Sequence, residues 1–139
     1  MKNLFKIFLI IAFIFLFSCE DQGLIVKCPD CTTDEPIKTD LEIKTDLAFF
    51  GYETQINIYE GNIEDSILYF SYKTLGTLTK INVTLNKKYS ATATYYIPDN
   101  YYIAIDSATP RVRFDKTKCD NPCYFVYDKI IDLRLKYTK

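Results

Sequence analysis

Strict alternation of side-chain character is the feature that most constrains what this chain can fold into. From Ile37 the sequence runs as two copies of Ile-Lys-Thr-Asp-Leu separated by one residue, so Ile, Thr or Leu occupies every second position as far as Leu47. A period of two places successive side chains on opposite faces of a β-strand, and charged residues fill the second face here. Because the repeat length is even, the duplication keeps the alternation in phase. It predicts one long, half-buried strand rather than a repeat protein.

Shorter segments with the same period continue to the C-terminus, and turn-forming residues separate them. These turns are predicted at 60–62, 76, 86–87, 98–100, 109–110 and 120–122. About eight strands spaced by roughly 8–12 residues predict an all-β fold. Within that class, we expect a single β-sandwich of immunoglobulin-like or fibronectin-like type over residues 37–139.

One segment points to a particular feature of such sandwiches. Tyr89 follows Leu85 by four residues and begins a strand with Ala91, Ala93 and Tyr95 on the same face. This spacing resembles the tyrosine corner, in which the phenol bonds back to upstream backbone. A strand that merely begins with an aromatic residue is the alternative, and the sequence favours neither.

The N-terminal segment differs from the rest of the chain. Lys2 and Lys6 precede an apolar run over residues 7–17, which is shorter than the roughly 20 residues of a transmembrane helix. Such a segment is typical of a signal peptide, and Ser18 before Cys19 resembles the end of a lipoprotein lipobox. We therefore predict a signal peptide at 1–18, acylation of Cys19 and a flexible tether at 19–36. A secreted protein without lipid, or an uncleaved anchor, is the alternative.

Four further cysteines stand in two pairs, Cys28 with Cys31 and Cys119 with Cys123. Exported chains favour disulfides, so structural bridges are the first interpretation. Because an Asp-Asn-Pro turn separates the second pair, we predict a local bridge there. For the first pair, a local bridge and a cross-link to the distal hairpin both stay open.

Two other uses of these thiols remain as alternatives. The spacings C-x₂-C and C-x₃-C are close to those of a zinc tetrathiolate. A thioredoxin-like redox pair would also use C-x-x-C, although that motif normally begins a helix, and the TTDEP stretch after Cys31 does not favour one.

Composition excludes several functions. The chain has no histidine, which removes Ser–His and Cys–His catalytic pairs, and its net charge of −1 gives no basic surface for nucleic acid. Glu53, Glu60, Glu64 and Asp65 gather near one turn, where solvated charge is the more usual interpretation than catalysis by paired carboxylates. We predict a protein that is not an enzyme, with no cofactor and no nucleic-acid partner.

Exposed aromatic and hydroxyl groups supply candidate surface sites. Tyr96 and Tyr102 flank the predicted turn at 98–100, and we expect them to share one exposed face that contacts protein or glycan. Stabilisation of the hairpin by cross-strand pairing of its tyrosines is the alternative. Ser66 and Ser107 each follow Asp and precede an apolar residue, a pattern similar to the O-glycosylation motif of some bacteria.

The order of these segments resembles a family of small lipoproteins from Bacteroidota. The resemblance rests on Cys19, the C-x-x-C tether ending in TDEP at 33–36, the segment at 58–65, the strand beginning at Tyr89 and the C-terminal segments at 119–127 and 132–137. That family has no established activity. The resemblance implies sorting to the outer membrane, on either its periplasmic or its outer face.

Together these patterns predict a lipid-anchored envelope lipoprotein that acts as a binding or structural module, with an envelope protein or glycan as its partner. A redox-active or zinc-binding lipoprotein that uses the paired cysteines is the alternative function.

Overall fold

The chain folds as an all-β protein. The computed structural model describes residues 28–117 and 119–135. The described residues form nine strands: β1 Lys38–Lys44, β2 Thr54–Glu60, β3 Leu68–Thr74, β4 Leu78–Thr84, β5 Tyr89–Ile97, β6 Asn100–Ala108, β7 Arg111–Asp115, β8 Cys123–Tyr127 and β9 Ile130–Asp132. Short 3₁₀ turns lie at Cys28–Asp30, Phe49–Gly51 and Ile63–Asp65.

Two of the three sheets pack in a sandwich-like arrangement. The first has the order β4-β1-β9, in which β1 pairs antiparallel with β4 and parallel with β9. The second has the order β3-β2-β5-β6 and is antiparallel throughout. Strands β7 and β8 form a separate antiparallel hairpin. The prediction of an all-β sandwich is therefore confirmed, at the level of class and layering.

The core lies between these two sheets and follows the alternation of the sequence. Strands β1, β2 and β5 contribute every second residue, as Leu41 and Ile43 do on β1 and Ile56 and Ile58 do on β2. Strand β5 is the most deeply buried, and its Tyr89, Ala91, Ala93 and Tyr95 all face inward. The cluster of buried residues comprises Leu41, Ile43, Ile56, Ile58, Val83, Tyr89, Ala91, Ala93, Tyr95, Ala108, Ile131 and Leu133.

The duplicated segment ends differently from its prediction. Strand β1 covers only its middle, and the two outermost apolar residues, Ile37 and Leu47, are 76% and 70% exposed. The alternation continues past the strand, but the register with β4 covers only Lys38 to Lys44. A residue that has no partner strand and no facing sheet has nothing to bury it, whatever its place in the period.

Three residues of the predicted turns adopt a left-handed backbone conformation. Gly61, Asn86 and Asp99 all adopt positive φ, of 88°, 61° and 64° respectively. Glycine, asparagine and aspartate are the residues that tolerate this left-handed conformation best, which explains their use at these strand ends.

Candidate functional site

Four cysteines meet where the start of the described chain lies against the β7–β8 hairpin. Cys28 is bonded to Cys119 and Cys31 to Cys123, with Cα atoms 5.7 and 5.5 Å apart. The bonded residues are 91 and 92 positions apart in the sequence. Both bridges therefore join the same two short segments of the chain.

Local backbone geometry brings the sulfur atoms together. The 3₁₀ turn at Cys28–Asp30 is closed by a hydrogen bond in which the Cys31 N–H donates to the Cys28 carbonyl at 3.2 Å. The next residue, Thr32, forms an isolated antiparallel bridge with Tyr124 of β8. The two residues exchange backbone hydrogen bonds of 2.9 and 2.8 Å. This antiparallel bridge holds the two cysteine segments side by side.

The result is a compact cluster of sulfur atoms with one open side. The Sγ atoms of Cys31 and Cys119 are 3.9 Å apart although they are not bonded to each other. The Sγ atoms of Cys31, Cys119 and Cys123 all lie within 4.8 Å of one another. Cys123 is 6% exposed, whereas Cys28 is exposed, so the cluster is buried at one corner and reachable from solvent at the other.

The predicted local bridge between Cys119 and Cys123 is wrong. Each of these cysteines pairs instead with one from the N-terminal segment, because Thr32 and Tyr124 pair edge to edge and bring four sulfurs within reach. Of the two possibilities left open for Cys28 and Cys31, the structure has the cross-link to the hairpin.

These bridges bear on the predicted tether. The prediction places residues 28–32 in a flexible tether at 19–36, whereas two disulfides and a backbone bridge join this part of the chain to the hairpin. Cys19 itself and the predicted signal peptide at 1–18 lie outside the described residues.

Tyr95 ties the two sheets of the sandwich together. It projects from β5, and its hydroxyl donates to the carbonyl of Leu133 at 2.8 Å and accepts from the N–H of Asp46 at 3.1 Å. Asp46 and Leu133 follow β1 and β9 of the other sheet. Burial raises the pKa of Tyr95 to about 12, helped by the carboxylates of Asp46 and Asp132, while the bond from the Asp46 backbone acts in the opposite direction.

Tyr89 has the geometry of a tyrosine corner. Its hydroxyl donates to the Thr84 carbonyl at 3.3 Å and accepts from the Thr84 N–H at 3.2 Å, five residues upstream. The intervening segment carries the chain from β4 in one sheet to β5 in the other. Of the two interpretations of the sequence, the backward bond to backbone is the one that the structure has. Burial raises the pKa of this phenol as well.

Tyr96 and Tyr102 do not share a face, contrary to the prediction. Tyr96 is paired with Tyr101, and Tyr102 with the buried Tyr95. The prediction took three residues, 98–100, as the turn, whereas Ile97 and Asn100 already pair and leave a turn of two residues. Removing one residue from a turn shifts the register by one and reverses every face.

The observed register places an apolar stripe on the outer face of β5 and β6. Tyr96, Tyr101, Ile103 and Ile105 are 43%, 56%, 53% and 64% exposed. Strand β6 is an edge strand of its sheet. The outer-face residues of β6 carry the period-two signal of a buried face, and the inward positions are instead Tyr102, Ala104, Asp106 and Ala108.

The two candidate glycosylation sites both lie at the surface. Ser66 ends the 3₁₀ turn at Ile63–Asp65 with a φ of 57°, and Ser107 lies on β6 opposite Ser90. Both serines are exposed. Their modification remains a prediction.

Two of the four acidic residues near the turn at 60–62, Glu60 and Asp65, have structural partners. Glu60 forms an ion pair with Lys87 at 2.7 Å, and the Asp65 carboxylate accepts from the Asn62 N–H at 3.0 Å. The second contact belongs to a capping box at the start of the 3₁₀ turn.

Other features of the described residues bear on possible sites. A groove of about 580 Å³ runs beside β8, between Lys38 and Glu42 of β1 and Tyr124 to Ile130. Among the described helical segments, all of them short 3₁₀ turns, none has the length and apolar character needed to cross a bilayer.

Comparison of the chain with protein-family models, with curated protein sequences and with solved structures found no match.

Proposed function

We propose that this chain is a lipid-anchored module of the bacterial cell envelope that binds or scaffolds rather than catalyses. The observation that carries the proposal is the pairing of all four described cysteines in two disulfides. Such bridges form and persist in oxidising, extracytoplasmic compartments. Cys19, at the end of an apolar run, supplies the anchor.

The position of the first bridge limits how far the folded part lies from the membrane. The nine residues from Cys19 to Cys28 span at most about 32 Å even when fully extended. More than one acyl chain on a single cysteine gives stable anchoring, since each buried CH₂ contributes about 0.8 kcal/mol. The anchor thus holds the sandwich close to the surface of the outer membrane.

The outer face of β5 and β6 is the surface that supports a binding role. Four large apolar side chains, those of Tyr96, Tyr101, Ile103 and Ile105, lie on it. Exposed aromatic residues are frequent anchors of contacts with other proteins. An envelope protein is the partner that this face suits best, and a glycan is the second possibility.

Fatty-acid labelling in cells tests the anchor. Cys19→Ser is expected to abolish labelling, while Cys119→Ser, which also removes one thiol, is expected to leave it unchanged. Labelling that survives Cys19→Ser would contradict the proposal.

Site-specific photo-crosslinking in intact envelopes tests the binding face. A photoreactive side chain at Tyr101 is expected to capture a discrete partner band. The matched position is Lys80, which is exposed on β4 of the other sheet. Equal capture at both positions, or none at Tyr101, would remove the binding role from this face.

A redox-active lipoprotein is the second candidate function, and one observation favours it. The unbonded Sγ atoms of Cys31 and Cys119 lie 3.9 Å apart, close enough for one disulfide to exchange with the other once a thiolate is present. Stable disulfides that resist a glutathione buffer would support the structural module, and ready reduction would support the redox function.

A further inference from the structure

The structure brings two distant cysteine pairs to one point with a geometry that suits a metal ion. We propose that, when its two disulfides are reduced, the cluster of Cys28, Cys31, Cys119 and Cys123 binds one zinc ion as a tetrathiolate. The inference goes beyond the proposed function, because a module anchored by lipid and crosslinked by disulfides needs no metal.

Spacing along the chain is the first support. The pairs are C-x₂-C and C-x₃-C, within the C-x₂₋₄-C range of structural zinc sites. The 3₁₀ turn at Cys28–Asp30 returns Cys31 towards Cys28, so one short turn presents both sulfur atoms. Each pair thus supplies two ligands from a single bend of the chain.

Sulfur geometry is the second support. A zinc–sulfur distance of about 2.3 Å in a tetrahedron places neighbouring sulfur atoms about 3.8 Å apart. The unbonded pair of Cys31 and Cys119 already lies at 3.9 Å. The Sγ atoms of Cys31, Cys119 and Cys123 lie within 4.8 Å of one another, and Cys28 is covalently bonded to Cys119. Reduction therefore leaves three sulfur atoms within 4.8 Å of one another and a fourth, that of Cys28, beside Cys119, and side-chain rotation then separates the formerly bonded pairs around the ion.

Backbone outside the cysteines holds the two pairs in place without the disulfides. Thr32 and Tyr124 exchange two backbone hydrogen bonds directly after the first pair and directly after the second. Strand β8 is in turn paired with β7 over five positions. The exposed side of Cys28 leaves a route for a reductant and for an ion.

The chemistry balances in two steps. A dithiol reductant gives two electrons and two protons to each disulfide and is itself oxidised to a disulfide, so two dithiols yield four cysteine thiols. Zinc then binds the four thiolates, and four protons are released to solvent as four S–H bonds are replaced by four Zn–S bonds. In either redox state the same two segments are crosslinked, by sulfur–sulfur bonds or through the metal.

Cobalt(II) titration of the purified full chain tests the proposal. The chain is reduced with a dithiol, the dithiol is removed without oxygen, and Co²⁺ is added as a spectroscopic substitute for Zn²⁺. We expect the visible absorption of tetrahedral, thiolate-bound cobalt to saturate at one ion per chain. Zinc is expected to displace the cobalt and to protect four thiols from alkylation.

Variants assign the ligands. Each of Cys28→Ser, Cys31→Ser, Cys119→Ser and Cys123→Ser is expected to weaken binding by more than the roughly 10–100-fold caused by loss of an outer-shell partner. Cys19→Ser changes a cysteine that lies outside the cluster, so it is the matched control and is expected to bind as the original chain does. The chain with all four cluster cysteines replaced by serine is expected to bind no cobalt.

Circular dichroism keeps the test decisive if reduction loosens the fold. A reduced chain that loses β-signal and regains it on addition of one equivalent of zinc supports the proposal, because metal binding then supplies folding free energy. Unfolding that zinc does not reverse, protection of only two thiols, or equal binding by the four-serine chain would overturn it. None of these outcomes bears on fatty-acid labelling at Cys19, which tests the proposed function separately.

Discussion

The sandwich and the β7–β8 hairpin are held in place by different means. The buried cluster between the sheets draws on β1, β2, β4, β5, β6 and the segment around β9, and no described residue of β7 or β8 belongs to it. The hairpin instead has two disulfides to the start of the described chain. A two-stranded hairpin alone is marginally stable in water, and here covalent links add to the few residues that it buries itself, such as Phe125.

The comparison teaches where stability comes from in a small, disulfide-bonded domain. In the sandwich, Ile56, Ile58 and Ile131 are fully buried and gain stability from removal of apolar surface from water. In the hairpin, the bridges act on the unfolded chain by reducing its conformational freedom. The stability of the sandwich depends on the burial of apolar side chains, and that of the hairpin depends on covalent links between distant parts of the chain.

The largest expected effect comes from removing both bridges. Replacement of all four cluster cysteines by serine is expected to lower the free energy of unfolding by roughly 7 kcal/mol. The first bridge closes a loop of nearly 100 residues, for about 4.7 kcal/mol, and the second then closes a loop of fewer than about 15 residues, for less than about 3 kcal/mol.

Removing only one of the two bridges should therefore cost little stability. Cys28→Ser with Cys119→Ser, or Cys31→Ser with Cys123→Ser, is expected to cost less than about 3 kcal/mol, because the remaining bridge still closes the long loop. Urea unfolding of the three variants in metal-free, non-reducing buffer measures this. Additive costs would show that the bridges act independently, against the geometry described above.

Truncation of the core tests the other region. Ile56→Ala is expected to cost about 2–5 kcal/mol, since the side chain is fully buried between the sheets and its removal leaves a cavity. Ile105→Ala deletes the same atoms from the outer face of the same sheet, where the side chain is 64% exposed, and is expected to change stability by less than about 0.5 kcal/mol. Similar costs for both variants in denaturant unfolding would contradict the assigned faces of the sheet.

The polar link between the sheets gives the next effect in size. Tyr95→Phe removes the hydroxyl that serves Leu133 and Asp46, leaves a buried carbonyl without that partner, and is expected to cost about 1–3 kcal/mol. The adjacent Tyr96→Phe changes an exposed phenol and is expected to stay within about 0.5 kcal/mol. Thermal unfolding of the pair compares them directly, and equal midpoints would show that the hydroxyl of Tyr95 contributes nothing.

The last effect is a dependence of the free energy of unfolding on high pH. The Tyr95 phenol ionises with a pKa near 10 in the unfolded chain and about 12 in the folded one. Its contribution is complete below pH 10 and is lost as the pH rises towards 12, because the unfolded state binds fewer protons in this range.

The original chain is therefore expected to lose stability more steeply than Tyr95→Phe, by up to about 1.4 kcal/mol per pH unit. Denaturant unfolding between pH 9 and pH 12 measures both slopes, and parallel slopes would count against a raised pKa of Tyr95. Tyr89, whose pKa burial also raises, is present in both chains and so does not affect the difference.

Much of the fold could be predicted because burial in a sheet leaves a period of two in the sequence. Ile56 with Ile58 and Ala91 with Ala93 lie on the inward faces that the alternation gave them. Strand β6 shows where this fails. Tyr101, Ile103 and Ile105 carry the same period, but they face outward on an edge strand. Alternation distinguishes two faces of a strand, and only the register with a neighbour decides which face is covered.

The candidate site was predictable in its members but not in its pairing. Four cysteines in two close pairs indicate crosslinks or a metal in any exported chain. Which cysteine meets which depends on the bridge between Thr32 and Tyr124, two residues 92 positions apart. No local pattern encodes that contact, because it joins the segment before β1 to the distant strand β8.

The amino-acid sequence alone determined the class of fold, the left-handed turn residues Gly61, Asn86 and Asp99, and the residues able to crosslink. These properties are local, since a strand period, a left-handed turn residue and a thiol each depend only on the residues of one short segment. Only the tertiary structure decided the crossed disulfides, the two-sheet contact of Tyr95 and the exposed stripe on β6. Each of these joins segments far apart in the chain, and their proximity depends on how whole sheets pack rather than on any one segment.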